Sequence, residues 1–171
     1  MSVTTADLVI YHSAYNGIAG TNTPVGGMGG AIDAAVDQVN LANNIFPQIS
    51  ATEASSGLTD YRCIYIKNNN ATHDLTDSKF FLEVPPISAG ITIQLGLGTA
   101  VAGEAEQEID DRFEEPTGIT WLPAPNAANG LVLPTLTPGL SKSIWLKRIV
   151  SAGTVQAGTN SFILSCVGET L

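Results

Sequence analysis

The densest group of side chains that could do chemistry is an acidic run between residues 104 and 115. Closely spaced carboxylates can bind a cation or exchange protons, but the glycine and the alternating aspartates of a calcium loop are absent here. Nor does the sequence indicate the cleft that a glycosidase needs between its paired carboxylates. The run therefore favours a solvated loop, with an acidic contact surface and a metal site as the alternatives. Its acidic members are Glu104, Glu106, Glu108, Asp110, Asp111, Glu114 and Glu115.

The histidines and cysteines match no spacing that is typical of a metal site or a catalytic pair. His12 and His73 are far apart, and Cys63 and Cys166 form no Cys-x-x-Cys pair. Both cysteines lie in apolar, strand-like runs, where a small thiol is usually buried. We expect both thiols to be free and buried in a reducing compartment, and the alternative is a disulfide between the first and last long strands.

A glycine-rich stretch runs from Gly17 to Gly30 and ends in the sequence Gly-Gly-Met-Gly-Gly at residues 26–30. A phosphate-binding loop would continue into Gly-Lys-Ser or Gly-Lys-Thr and a long helix, which this stretch does not do. It instead predicts a hinge or a close backbone contact. No catalytic, cofactor-binding or metal-ligating residue is therefore predicted, and we do not expect an enzyme.

The composition sets limits on partners and location. The net charge is −9, charged residues make up 13% of the chain, and hydrophobic residues make up 44%. The seven basic residues form no stripe that could neutralise a phosphate backbone, so direct nucleic-acid binding is not expected. The chain has no apolar run long enough to span a membrane and no signal-peptide pattern at its start. We expect no membrane partner, and we expect the protein to stay in a cytoplasm until it is assembled.

The low charge also predicts how the surface is used. A soluble monomer usually covers more of its surface with Lys, Arg, Asp and Glu than this composition allows. We interpret the shortage as burial of part of the surface by neighbouring subunits. The alternative is a compact monomer coated in Ser, Thr and Asn.

The elements that must position these residues are short strands. Apolar and β-branched runs alternate with turn clusters rich in Gly, Pro and Asn, and helical periodicity is almost absent. Residues 31–44 could form one or two helical turns. The pattern predicts an all-β protein, an antiparallel β-sandwich of about seven or eight strands that is immunoglobulin-like or jelly-roll-like. Beyond the first run at residues 7–14, the strand-like runs are residues 61–67, 75–84, 91–95, 118–122, 131–133, 143–150 and 161–167.

The chain divides by composition into two ranges. Residues 1–49 are predicted to be an N-terminal strand and a Gly-rich extended arm that serves assembly more than folding, because ordering so many glycines is entropically costly. Residues 50–171 are predicted to be the sandwich domain.

Several strands are apolar on both faces, so both faces must be covered. Ile144 and Leu146 are predicted to face the core, with Trp145 and Ile149 on the opposite face. In the last strand Phe162, Leu164 and Cys166 share one face, and Ile163 and Val167 share the other. Either the N-terminal segment or another subunit must cover the second face. The candidate interface residues are Leu8, Val9, Ile10, Tyr11, Ile45, Phe46, Trp145 and Ile149.

Blocks along nearly the whole chain resemble a group of poorly characterised virion structural proteins of tailed bacteriophages. They are Asp-Leu-Val-Ile-Tyr at residues 7–11, Gly-Gly-Ala-Ile-Asp at 29–33, Asp-Tyr-Arg-Cys-Ile-Tyr-Ile-Lys-Asn at 60–68, Ser-Lys-Ser-Ile-Trp-Leu-Lys-Arg at 141–148 and Asn-Ser-Phe at 160–162. The resemblance implies a virion component and brings no catalytic residues with it.

We accordingly expect a capsid decoration or cement protein that bridges subunits of the major capsid protein in the virion. We expect it to contact that protein or other virion proteins and to form a homo-oligomer, with a trimer favoured. A tail or baseplate component is the alternative within the same class. A carbohydrate-binding module for host attachment is the alternative from a different class, and its candidate stacking residues are Trp121, Trp145, Tyr61 and Tyr65.

Overall fold

The computed structural model describes residues 7–17, 26–37, 45–155 and 161–170. Within these ranges the chain forms eight β-strands and one short α-helix, α1 (Ala51–Ser56). The strands are β1 (Leu8–Ser13), β2 (Ile32–Asp37), β3 (Leu58–Asn68), β4 (Leu75–Val84), β5 (Ile91–Leu97), β6 (Leu131–Val132), β7 (Ser141–Val150) and β8 (Ile163–Thr170).

The strands form two antiparallel sheets. The larger has the order β2-β1-β3-β7-β5, and the smaller has the order β6-β4-β8. The longest pairing joins β3 to β7, with a continuous register from Leu58 opposite Val150 to Lys67 opposite Ser141. The predicted all-β antiparallel sandwich is confirmed.

The main hydrophobic core lies between the two sheets. Alternate residues of β3 and β7, such as Ile64 and Leu146, meet Phe80 and Leu82 of β4. Period-two alternation places these side chains on one side of each sheet. Ile144 also lies in this core, so the predicted facing of β7 is confirmed.

The predicted division of the last strand into two faces is also confirmed. Phe162, Leu164 and Cys166 pack against the core. Ile163 and Val167 point outward and are 51% and 45% exposed.

A second cluster covers the opposite face of the large sheet. Trp145, Cys63 and Tyr65 lie on that face and pack with Met28 and Ile109, all of them nearly or fully buried. Of the two predicted covers, the N-terminal segment is the one that supplies Met28. Residues 106–121 complete the cover, which the sequence did not predict.

Two local predictions need correction, and one element was not predicted. Part of the predicted helical turn at residues 31–44 is β2, because β1 offers an edge for pairing and an isolated short helix is unstable in water; residues 38–44 lie outside the described ranges. Residues 118–122 form no strand and contribute one isolated bridge, Leu122 to Leu95. Helix α1 was not predicted, although Ser50 and Glu53 form a capping box that the Ser-x-x-Glu sequence could have indicated.

The two sequence ranges share one sheet. β1 pairs with β3 from Leu8 opposite Asn68 to His12 opposite Ile64, and Ile45 and Phe46 lie in the main core. The described part of the N-terminal range is therefore in contact with residues 50–171 along a strand and through the core. Its role in assembly stays a prediction.

Candidate functional site

The glycine run at residues 26–30 is buried against the large sheet. Gly29 has a φ of +90°, and a Cβ there would lie 1.8 Å from the carbonyl oxygen of Gln107. No side chain fits at that separation, so the position requires glycine. Of the two predictions for this run, the structure shows the close backbone contact.

The same run completes one edge of β3. Beyond the end of β1, the amide of Cys63 donates to the carbonyl of Gly27 at 2.7 Å, and the amide of Tyr61 donates to the carbonyl of Arg112 at 2.8 Å. These bonds satisfy backbone donors of β3 that would otherwise be buried without partners. The glycine run is thus part of the sheet's hydrogen-bonding scheme.

Backbone pairing also ties the run to the acidic stretch. The amides of Gly30 and Glu106 donate to each other's carbonyls at 3.1 and 3.0 Å. The Tyr65 hydroxyl donates to the carbonyl of Gly30 and accepts from the amide of Glu106. Tyr65 of β3 therefore links two loops that cover the same face of the sheet.

The Glu106 side chain is 3% exposed and accepts four hydrogen bonds. Ser143 Oγ donates at 2.6 Å and Thr99 Oγ1 at 2.9 Å, and the amides of Ala100 and Gln107 donate at 3.1 Å. Burial by itself raises the pKa of this carboxyl, but the hydrogen bonds outweigh it and hold the pKa below its usual value.

Glu106 and the neighbouring Lys142 hold the loop against the sheet, which is a structural role. Lys142 is 5% exposed, and its ammonium donates to the carbonyls of Gly98 and Ala100 beside the carboxylate. The acceptors of Glu106 are occupied by donors of the chain itself. The acidic run was predicted as a solvated loop, and Glu106 departs from that prediction because its side chain closes the loop onto β7. Glu104 and Glu108 are exposed.

A second buried ionic network lies near one end of β3 and β7. Asp60 is 0% exposed and accepts two bonds from Arg148, at 2.9 and 2.6 Å. Arg112 pairs with Asp60 at 3.5 Å and with Glu53 of α1. Arg148 also donates to the carbonyl of Pro47. The network joins two strands, the helix and the acidic stretch, and a bidentate arginine suits such a buried position.

The aromatic residues proposed for sugar stacking do not form an open platform. Trp145 and Tyr65 are 0% and 1% exposed, and Tyr61 is 4% exposed. Trp121 is half-buried, packs on Tyr61 with ring centroids 5.6 Å apart, and donates through Nε1 to Glu115 at 2.7 Å. A carbohydrate site would therefore have to rely on Trp121.

The two cysteines lie in different hydrophobic clusters. Cys63 is buried in the second cluster, and Cys166 is half-buried against the main core; both are free thiols. Burial raises the pKa of Cys63 and raises that of Cys166 to about 11, so neither thiol is activated as a nucleophile. In the part of the chain that the structure describes, no three His, Cys, Asp or Glu side chains converge as metal ligands.

An exposed apolar surface remains on the outside of the small sheet, which we call the outer face. Ile163 of β8 is 51% exposed and lies opposite Val84, which is 41% exposed. Val132 of β6 is 64% exposed, and Val167 of β8 is 45% exposed. Both lie opposite Lys79 of β4, on either side of it. Apolar surface grouped in this way marks an interaction site more often than scattered apolar residues do.

Comparison of the chain with family models, with curated proteins and with solved structures finds no match. The candidate site therefore depends on the geometry of this chain. The described ranges contain no helix long and apolar enough to cross a bilayer.

The predicted interface residues are dispersed in the structure. Leu8, Val9, Ile10 and Tyr11 are half-buried on β1, and Leu8 and Ile10 pack against the main core. Ile45 and Phe46 belong to that core, Trp145 belongs to the second cluster, and Ile149 is half-buried.

Sequence reasoning placed Ile163 and Val167 together on one face of their strand, without assigning that face to the outside and without naming them as interface residues. The available signal was a strand that is apolar on both sides. Which side the rest of the chain covers depends on the tertiary structure.

Proposed function

We propose that this protein is a structural component of a tailed-phage virion, where it decorates the capsid and bridges subunits of the major capsid protein. The observation that carries the proposal is the apolar outer face of the small sheet. The resemblance of the sequence to virion proteins supplies the context in which such a surface would be covered.

The reactive groups support a structural role as well. Glu106, Asp60 and Arg148 are engaged in contacts that join strands and loops of the same chain. Their hydrogen bonds hold the cover of the large sheet in place and leave the outer face of the small sheet for partners. A protein present in many copies can bind firmly through modest contacts of this kind, because linked contacts add in avidity.

The test is the copy number and location of the protein in particles of the phage that encodes it. Quantitative mass spectrometry of purified virions is expected to find it at a level comparable with the major capsid protein. Antibody labelling in electron micrographs is expected to mark the head.

The alternative of a tail or baseplate component gives a different result in the same experiment. A copy number far below that of the capsid protein, with label at the tail, would identify a tail or baseplate component and contradict the decoration role. Absence from washed, infectious particles would contradict the virion assignment. The major tail protein, quantified in the same sample, serves as the internal standard.

A further inference from the structure

We infer that β8 is a self-association edge, along which two copies of the chain pair antiparallel and join their small sheets into one six-stranded sheet. The occupant of this edge is a second copy of the same chain. The inference does not depend on the virion assignment, since it concerns the isolated protein in solution.

The first argument is that the β8 edge lacks a hydrogen-bonded strand partner in the described ranges. β8 is the last strand in the order β6-β4-β8, and within the described ranges no strand pairs with its outer side. An uncovered edge offers a row of backbone donors and acceptors to another chain. Such an edge needs either protection or a partner.

Other edges of the sandwich are protected by the chain itself. The edge of β5 is bridged by Leu122, with mutual backbone bonds to Leu95 at 2.8 and 2.9 Å. The free side of β4 is bonded by Ala124, Leu133 and Leu136 in addition to β6. β2 contains two aspartates in six residues, a common device against edge pairing. β8 contains one charged residue in eight and neither lysine nor proline.

The second argument is that β8 is complementary to itself in one antiparallel register. If Ser165 lies opposite Ser165 of the second copy, Ile163 faces Val167 and Leu164 faces Cys166, each residue of the pair coming from a different copy. Glu169 then faces Ser161 of the other copy, so no like charges are opposed. Apolar cross-strand pairs of this kind stabilise a sheet.

Neighbouring registers lack this match. Shifting by one pair in either direction sets Ile163 opposite Ser165 or opposite Glu169. Shifting by a single residue would place the outward-facing residues of one copy opposite the core-facing residues of the other, so that the two would lie on the same face of the joined sheet. The register centred on Ser165 keeps both outer faces on the same side of the joined sheet.

Charge limits where two copies can meet. Each chain carries a net charge of −9, so association is opposed over most of the surface. β8 itself carries one carboxylate, Glu169, which lies far from its counterpart in the register centred on Ser165. On the neighbouring strand β4, the exposed carboxylate of Glu83 accepts a hydrogen bond from Ser165 Oγ. Antiparallel pairing of identical strands is two-fold symmetric and gives a dimer, whereas the sequence led us to favour a trimer.

The first experiment uses cysteine cross-linking to test the register. Residues opposed in an antiparallel pair have Cα atoms about 4.5–5.5 Å apart, which is compatible with a disulfide. Under mild oxidation we expect the full-length Ser165→Cys protein to form a covalent dimer on a non-reducing gel, with Cys166→Ala in both this variant and its control to remove the neighbouring free thiol. Glu169→Cys is the matched control, because it lies on the same strand and is exposed, but its two copies are far apart in this register.

The second experiment tests the energetics of the edge. Val167→Lys places a charge opposite Ile163 of the other copy, and we expect dimer dissociation to be favoured at least tenfold in sedimentation equilibrium. Because Val167 is 45% exposed, we expect the thermal unfolding of the monomer to be retained. Val101→Lys is the control, since Val101 is 76% exposed in a loop outside the small sheet.

Several results would overturn the inference. They are a wild-type protein that stays monomeric or forms a trimer, a Val167→Lys protein that dimerises like the wild type, and cross-linking of Glu169→Cys in place of Ser165→Cys. Each of these can occur whether or not the protein is found in virions, so failure of the dimer and failure of the proposed function are distinguishable.

Discussion

At the scale of single residues, the best-defined feature is the buried carboxylate of Glu106. Three of its four donors, Thr99, Ala100 and Gln107, lie in the same loop after β5, and the fourth is Ser143 on β7. A buried charge is tolerated only when it is paired and hydrogen-bonded, and here hydrogen bonds and the nearby Lys142 meet that condition. The residue therefore stabilises the loop that covers the second cluster.

Replacing Glu106 by Gln should destabilise the fold by about 2 kcal/mol or more, because an amide group would turn its own donors toward donors of the chain. Urea unfolding at neutral pH measures the loss. Glu104→Gln is the control, since Glu104 is exposed and should change stability little.

The pH dependence gives a second readout for the same variant. The pKa of Glu106 is lower in the folded protein than its ordinary value of 4.5, so its stabilisation is present above pH 4.5 and is lost as the pH falls below it. The Glu106→Gln protein should lose less stability than the wild type over that acid range. If both proteins lose the same stability as the pH falls below 4.5, the ionised carboxylate of Glu106 does not favour the folded state.

At the scale of elements, β7 contributes to both hydrophobic clusters because it is buried on both faces. Leu146 contributes to the main core, and Trp145 to the second cluster. A strand that is flanked by β3 and β5 and covered on both faces needs apolar residues in succession, which is why its sequence lacks clean alternation.

Leu146→Ala should lower the free energy of unfolding by about 2–5 kcal/mol, the usual cost of a cavity at a fully buried leucine. Ile149→Ala on the same strand is the comparison, and at a half-buried position we expect a loss of about 1 kcal/mol. Calorimetric melting of both variants measures the difference. Equal effects would contradict the facing of β7.

At the scale of the whole molecule, the described part of the N-terminal range shares a sheet and both hydrophobic clusters with the rest of the chain. β1 occupies one side of β3, Met28 fills the second cluster, and Ile45 and Phe46 lie in the main core. The contacts predict a folding role for this range, which the sequence assigned mainly to assembly.

Deletion of residues 1–44 separates these roles. We expect the truncated chain to unfold at a markedly lower temperature, because it loses the partner of β3 and exposes Trp145. Met28→Ala in the full chain removes the packing of this side chain together with the sulfur that accepts from Arg62 Nη1 at 2.6 Å, and should cost about 2–5 kcal/mol. A truncated chain that melts like the full protein but associates less would instead support a pure assembly arm.

The sequence by itself determined the fold class and the facing of the strands. Alternation placed Leu146 of β7 on the core side and set Leu164 of β8 on the face opposite Ile163, since a strand's period of two is local. That the carboxylates, histidines and cysteines form no catalytic or metal site stays a prediction from their spacing.

Tertiary structure alone decided which apolar sides are covered and which polar groups are buried. Glu106 and Glu104 lie in one acidic run, yet Ser143 of a distant strand makes one of them internal. Likewise Trp145 and Ile163 each lie on the face of an apolar strand that points away from the main core. The glycine run brings Met28 over Trp145, whereas Ile163 stays exposed. Such coverage depends on contacts between residues far apart in the chain, which local periodicity does not encode.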